Sequence, residues 1–221
     1  MGMIRPLLLA SVLGLAGCNM VISETPIVQA ADASGLQPRP GLWIVENHCS
    51  LRERNPVTSW PACARGFIVR PGEVVGFSTD KGDSGWKSIP YVIVGDAGRE
   101  TPQVAQIDIH NPAPKQDEPA DIYVFVGLRP LAFDAAGRVT RFRSWQLDCG
   151  PLPDEAAQKA GAKSYVTAKP YPGLLMDDGG NNCTPRDAAG LVSAATATEA
   201  LGPPETAKDP GAAHWVRDTY P

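Results

Sequence analysis

Short runs of β-favouring residues, interrupted at close intervals by glycine and proline, are the feature that most constrains the fold of this chain. The 221 residues include 22 Gly and 22 Pro, which favour many turns and short strands over long helices. Pro71-Gly72 separates two such runs, 66–70 and 73–77, and suits the central positions of a type II turn. The pattern predicts a mainly β fold, a single antiparallel domain built from hairpins.

Other apolar runs extend this pattern along the chain. The run 122–128 is apolar almost throughout, which is typical of a strand covered on both faces. A hairpin turn is predicted at 134–137, and the broken alternation near Phe142 predicts a β-bulge. A barrel and a sandwich both remain open, because both show the same short strands. The further predicted strands are 42–46, 91–94, 104–109, 131–133 and 138–147.

One C-terminal helix is predicted at about 185–201. Thr184 suits the N-cap, Pro185 suits the first helical position, and Asp187 lies near the positive end of the helix dipole. Gly202 and the prolines after it end the helix. The fold class expected is therefore β with one helix near the C-terminus.

The first 17 residues have the organisation of an export signal. Arg5 provides a positive start, and the apolar run 7–15 follows it. This run is too short to cross about 30 Å of hydrocarbon as a helix. A charged start, a short apolar run and small residues before a cut are typical of a signal peptide, which is removed from the mature protein.

The end of this signal, Leu15-Ala16-Gly17-Cys18, resembles the lipobox of bacterial lipoproteins. The resemblance implies a diacylglycerol on Cys18, removal of residues 1–17, and acylation of the new amine by a chain such as palmitate. Two or more acyl chains give stable membrane anchoring. Because Asn19, and not aspartate, follows the cysteine, the resemblance favours the outer membrane and a domain facing the periplasm.

Two further segments follow the signal peptide. Residues 18–39 contain Ser, Thr, Pro, Gln and Asp with little periodicity, and we expect them to form a lipidated tether. The length of the remainder, 40–221, suits one β-rich domain held by disulfides.

Four cysteines remain once Cys18 is assigned to the lipid: Cys49, Cys63, Cys149 and Cys183. An even number in an oxidising compartment indicates two disulfides. Three pairings are possible, and we favour Cys49–Cys63 with Cys149–Cys183, because neighbours in the chain meet most easily. We expect no metal site, since no C-x-x-C pair is present.

Charge and motifs limit the functional classes. The formal net charge is −4, or −5 after Arg5 is removed, and no basic run is present, so we expect no nucleic-acid partner. The segment 82–85 is similar to the nucleophile motif of trypsin-like proteases. However, His48 stands too close to Ser84 in the chain for the two barrels of that fold. We therefore expect no catalytic residues and no cofactor.

Gly41-Leu42-Trp43 resembles the opening motif of lipocalins, some of which are outer-membrane lipoproteins. Asp121-Ile122-Tyr123 is similar to a degenerate form of their second motif, with Ala120 in place of threonine. The resemblance implies an antiparallel barrel, a helix after the last strand, and an apolar ligand.

Three functional hypotheses follow. The first is a non-enzymatic, lipid-anchored binding or structural module of the cell envelope, with an envelope protein or peptidoglycan as partner and with Trp60 and Trp86 as candidate surface contacts. The second is a lipocalin-like carrier of a small apolar molecule, and the third is an envelope hydrolase. A binding module predicts a filled core, a carrier predicts an apolar cavity, and a hydrolase predicts a cleft of titratable groups.

Overall fold

The computed structural model describes residues 19–45, 53–55, 60, 66–78, 85–96, 101–110, 119–162, 166–167, 169–201 and 211–218. Two α-helices lie in this part of the chain, α1 (Glu155–Lys159) and α2 (Ala188–Thr198). Single 3-10 turns occur at Ala30–Asp32 and Glu199–Leu201. The strands are β1 (Ile22–Ser23), β2 (Gly41–Val45), β3 (Gly66–Arg70), β4 (Glu73–Ser78), β5 (Gly85–Val94), β6 (Gln103–His110), β7 (Asp121–Phe133), β8 (Val139–Gln146), β9 (Leu174–Met176), β10 (Cys183–Pro185) and β11 (Ala212–Arg217).

Eight of the described strands close into an antiparallel barrel. Strands β2 to β8 pair in chain order, and β11 pairs with β8 on one side and with β2 on the other. Because β7 also pairs with β8, the order of strands returns to its start. Strand β1 lies outside this circle against β7, and β9 and β10 form a separate ladder. The predicted mainly β class with a C-terminal helix is confirmed, and the sandwich alternative is excluded.

The hairpin turns form where the sequence predicts them. Gly72 has φ 77°, the value that a type II turn requires at its second central residue. In the turn between β7 and β8, the Gly137 N–H donates to the Asp134 carbonyl at 3.0 Å. The register of β7 against β8 shifts just after the pair Pro130–Phe142, so the irregularity predicted near Phe142 lies at this pairing.

Several strands differ from the prediction. Strands β1, β9 and β10 were not predicted, β5 begins at Gly85 and not at 91, and β7 and β11 differ most. Strand β7 runs unbroken through Pro130, whereas the sequence predicted separate strands at 122–128 and 131–133. Proline is tolerated there because the register shift interrupts the ladder at that point. Strand β11 was not predicted as a strand at all, because both of its pairing partners come from much earlier in the chain.

A close approach between β2 and β11 explains the glycine of the Gly-x-Trp motif. A Cβ atom at Gly41 would lie 2.8 Å from Nε1 of Trp215 and would overlap the carbonyl oxygen of Arg217. Gly41 also has φ 131°, which L side chains rarely adopt. The Trp215 indole N–H donates to the Pro40 carbonyl at 3.0 Å. Glycine is therefore required where β11 closes the barrel.

Apolar side chains from all the barrel strands meet in one cluster. Trp43 is fully buried, and its ring lies 6.2 Å from that of Phe67 and 5.1 Å from that of Phe142. Because the members come from the whole circle of strands, the cluster lies in the barrel interior. Among the described residues its members are Leu36, Trp43, Phe67, Val69, Val74, Tyr91, Ile93, Ala105, Ile107, Leu128, Phe133, Val139, Phe142, Ala213 and Trp215.

A second apolar cluster lies outside the barrel, under helix α2. Phe125 and Trp145 point outward from β7 and β8 and pack with Leu191 and its helical neighbours. The Trp145 indole N–H donates to Oγ1 of Thr198 at 3.1 Å, in a buried position. Just after α2, Glu199 accepts a hydrogen bond from Nε of Arg129 at 2.6 Å. These contacts fix the helix to the barrel wall.

Helix α2 begins three residues later than predicted. Pro185 belongs to β10, where it pairs with Leu174. The Asp187 carboxylate accepts from the Gly190 N–H at 2.8 Å and is the N-cap. Thr184 was wrong as the N-cap because the ladder with β9 holds it in an extended conformation, so the cap moves to the next acidic residue.

The segment 19–39 packs against the barrel, so the prediction of a solvated tether is wrong for these residues. Val21 and Val28 are 1% and 4% exposed. Strand β1 pairs with β7, and Pro38 forms a bridge with Val139 of β8. The segment packs against the barrel wall, although its apolar residues show little periodicity.

Two buried glutamines of β6 hold this segment. Oε1 of Gln106 accepts from the N–H groups of Ile27 at 2.8 Å and Val28 at 3.0 Å, and its Nε2 donates to the Val28 carbonyl at 2.8 Å. Oε1 of Gln103 accepts from the Leu36 N–H at 2.7 Å. The segment is thus held by these hydrogen bonds as well as by its buried valines, and its hydropathy pattern does not reveal the hydrogen bonds.

Replacing Gln106 with leucine should release this segment. The change leaves two buried N–H groups and one carbonyl without partners, and we expect a loss of about 2–4 kcal/mol in the free energy of unfolding. Urea unfolding gives this value, and hydrogen exchange at Ile27 and Val28 should accelerate. Gln146→Leu, at an exposed position of β8, is the matched control and should change stability by less than about 0.5 kcal/mol. Equal effects of the two substitutions would contradict this account.

Candidate functional site

A groove lies on the outer face of the barrel, between residues 26–30 and strands β5 to β7. Ala105 and Ile107 point into the barrel, so Gln106 and Asp108 point outward, because side chains alternate along a strand. The groove has a volume of about 160 Å³. Five of its ten lining residues are apolar and the other five carry polar side-chain groups: Pro26, Val28, Gln29, Ala30, Pro90, Tyr91, Val92, Gln106, Asp108 and Tyr123.

Two cross-strand pairs continue from the groove to the edge of the barrel where β6 ends and β7 begins. Asp108 lies opposite Tyr123, and His110 lies opposite Asp121. Nδ1 of His110 is 2.6 Å from Oδ1 of Asp121, and both of these side chains are exposed. The rim of the groove therefore carries two carboxylates and one imidazole.

The Asp108 carboxylate is poorly solvated. Its Oδ1 atom is buried and has no hydrogen-bond partner among the described residues. Burial raises the pKa of Asp108 above its ordinary value, the Asp121 carboxylate raises it further, and His110 opposes this change. The pKa of Tyr123 is raised by burial and then by Asp108 and Asp121. A positively charged group placed here would interact favourably with both carboxylates.

The size and polarity of the groove indicate what it can bind. Small-molecule sites usually enclose about 300–1,000 Å³, so a groove of about 160 Å³ suits one side chain of a larger partner. An apolar floor beside a carboxylate fits the aliphatic stem and charged head of lysine or arginine. The arrangement is suited to binding a basic side chain.

Trp86 extends this surface along β5. It is 42% exposed and shares the outward face with Pro90 and Val92, because Ile93 and Tyr91 point inward. Four residues along a strand span about 13 Å, so Trp86 lies beyond the groove on the same face. We call Trp86, Pro90, Val92, Asp108 and Tyr123 the β5 surface.

The other candidate contact, Trp60, lies elsewhere. It is half-buried, and its indole N–H donates to the Asn55 carbonyl at 3.1 Å. A Cβ atom added to Gly66 of β3 would lie 2.9 Å from the Trp60 ring. The structure therefore places Trp60 over β3 and does not join it to the β5 surface.

Cys149 and Cys183 lie at disulfide distance, with Cα atoms 5.5 Å apart, in line with the favoured pairing. Cys18, Cys49 and Cys63 lie outside the described residues, and their predicted roles stay predictions. His48 and Ser84 of the protease-like motif also lie outside them.

In the described ranges, no three His, Cys, Asp or Glu side chains are grouped as metal ligands. No helix in the same ranges combines the length and apolarity needed to cross a membrane.

Sequence reasoning identified Trp86 but missed the groove. The signal for one wall was present, because Gln106, Asp108 and His110 alternate with apolar residues in β6. The opposite wall, residues 26–30, was assigned to the tether, so no groove could be foreseen. Comparison with known proteins adds no assignment: no protein-family model, curated protein or solved structure matches the chain.

Asp108→Asn should stabilise the protein at neutral pH. Because the pKa of Asp108 is raised in the folded state, its charged carboxylate opposes folding. The free energy of unfolding therefore falls as pH rises through the pKa of the unfolded state and then that of the folded state. The substitution removes this penalty, so its stabilising effect at pH 7 should shrink as pH falls below the ordinary value of 3.8. Urea unfolding at both pH values measures this, with Asp32→Asn, at an exposed position, as control. A destabilising effect at pH 7 would contradict the electrostatic account.

Proposed function

We propose that this protein is a lipid-anchored component of the cell envelope that binds a protein partner through the outer surface of its barrel, without catalysis. Anchoring through Cys18 rests on the lipobox. The binding role rests on one observation in particular, the cluster of aromatic and aliphatic side chains inside the barrel.

A carrier would need an apolar cavity where this barrel has packed side chains. Trp43 has no exposed surface and contacts Phe67 on the neighbouring strand β3 and Phe142 on β8. Trp215 and Phe133 belong to the same cluster. A ligand of ordinary size would have to displace these aromatic rings, at a cost of several kcal/mol in lost packing. The closed barrel favours a lipocalin-like carrier, but its packing favours a surface-binding module.

The β5 surface supplies the proposed contact. Trp86 provides an exposed aromatic ring, and aromatic residues are enriched in protein interfaces. Asp108 and Asp121 provide negative charge beside an apolar groove. The partner surface that fits is a segment with an apolar residue and a lysine or arginine. The net charge of −4 favours encounter with such a basic partner.

Native mass spectrometry tests the filled barrel. The chain is exported through a cleavable signal peptide without a lipobox, so that it begins at Asn19, and is purified from the periplasm. We expect the mass of the polypeptide alone, reduced only by the hydrogens lost in its disulfides. A reproducible added mass that disappears on organic extraction would support the carrier and contradict the proposal.

Cys18→Ala tests the anchor. The substitution removes the thiol to which the lipid would be attached. The protein should therefore no longer be labelled by radioactive palmitate, and its processed, membrane-bound form should disappear. Asp32→Asn, at an exposed position, keeps Cys18 and is the control that should retain the label. Labelling of the Cys18→Ala chain equal to that of the wild type would overturn lipid attachment at this residue.

A further inference from the structure

The described chain begins at Asn19, which is held tightly by two loops. Asn19 is 4% exposed. Its backbone N–H donates to the Asn181 carbonyl, its carbonyl accepts from the Cys149 N–H at 2.8 Å, and its side-chain Nδ2 donates to the Gly150 carbonyl at 3.1 Å. Asn19 is therefore integrated into the fold through three separate hydrogen bonds.

The next two residues continue this clamp. The Met20 carbonyl accepts from the Cys183 N–H at 2.9 Å, and the Val21 N–H donates to the Leu147 carbonyl at 3.2 Å. The loops on the two sides, 147–150 and 181–183, are joined by the Cys149–Cys183 pair. The chain is thus held between two cross-linked segments from its first described residue.

This clamp leaves no linker between Cys18 and the domain. Consecutive Cα atoms are about 3.8 Å apart, so a lipid on Cys18 would be attached one residue from a buried, hydrogen-bonded position. A flexible tether would let the barrel stand away from the bilayer. Here the part of the surface around Asn19 has to lie at the headgroup region.

Exposed apolar side chains flank the clamp. Leu152, two residues after the carbonyl that binds Asn19, is 53% exposed. Leu175 is 47% exposed and pairs with Thr184, next to Cys183. Exposed leucines beside a lipidated residue are suited to the boundary between headgroups and acyl chains, where apolar area leaves water.

We propose that Leu152 and Leu175 contact the bilayer surface and hold the barrel against it in a fixed orientation; this inference rests on the lipid anchoring of Cys18 proposed above. We call the two exposed leucines, Leu152 and Leu175, the anchor face. Carboxylates lie in the same segments, at Asp148, Asp154 and Asp177. The contact is therefore apolar in origin, and anionic lipids should weaken it by repulsion.

Photocrosslinking to lipid tests this orientation. A benzophenone amino acid replaces Leu152 or Leu175 in the full lipoprotein, which is reconstituted into phosphatidylcholine vesicles and irradiated. The matched control is Leu201, which is 62% exposed but follows α2, a helix of 11 residues and about 16 Å in length, at the end away from β10. We expect several-fold more phospholipid adduct at positions 152 and 175 than at 201.

Flotation of the same vesicles separates the two proposals. If the protein fails to float with the lipid, the anchor proposal fails, and this inference fails with it. If the protein floats but adduct yields at 152 and 175 equal that at 201, the anchor stands and the fixed orientation is overturned.

A second variant tests the missing linker. Insertion of twelve Gly and Ser residues between Cys18 and Asn19 should leave flotation unchanged and lower the adduct yield at 152 and 175 at least several-fold. Unchanged yields would overturn the role assigned to the absent tether. Replacing part of the phosphatidylcholine with phosphatidylglycerol should also lower the yields, and an increase would contradict an apolar contact.

Discussion

The insertion of β11 between β2 and β8 is the constraint on which the rest of the structure depends. Without it, the meander from β2 to β8 would have two open edges, and its interior aromatic rings would face water. The Trp215 indole binds the Pro40 carbonyl across 175 positions of the chain. The Arg39 guanidinium lies 3.6 Å from the centre of the Trp215 ring, which joins the segment before β2 to β11. Closure makes one inner surface, which the aromatic side chains fill.

Closure also creates an outer wall on which the other elements assemble. Helix α2 covers one part of this wall through Trp145 and Leu191, and the segment 19–39 covers another through Gln106. The groove exists because the N-terminal segment forms one of its sides. The anchor face exists because the same segment begins between loops joined at Cys149–Cys183. Both proposed surfaces are consequences of packing on the outside of the barrel, and the interior takes no part in either.

Local patterns were predictable, and contacts between distant segments were not. The turn at Gly72 and the hairpin at 134–137 follow from backbone preferences over a few residues, and the structure contains both. The start of α2 was misplaced because Thr184 and Pro185 are good helix starters that pair with β9 instead. The segment 19–39 was misread because hydropathy reports apolar area, while Gln106 holds this segment through hydrogen bonds. Half of the groove was visible in the alternation of β6, and the other half depended on this misread segment.

The sequence by itself determined the β class and the positions of most strands and turns, because each follows from residues close together in the chain. It favoured Cys149–Cys183 among three possible pairings. Only the tertiary structure decided that the strands form a barrel, that β11 closes it, and that the N-terminal segment belongs to the folded domain. The physical reason is that an edge strand offers the same backbone donors and acceptors to any partner. The pairing of β11 with β2 and β8 depends on how side chains fit, such as Gly41 against Trp215. This fit appears only when residues far apart in the chain meet.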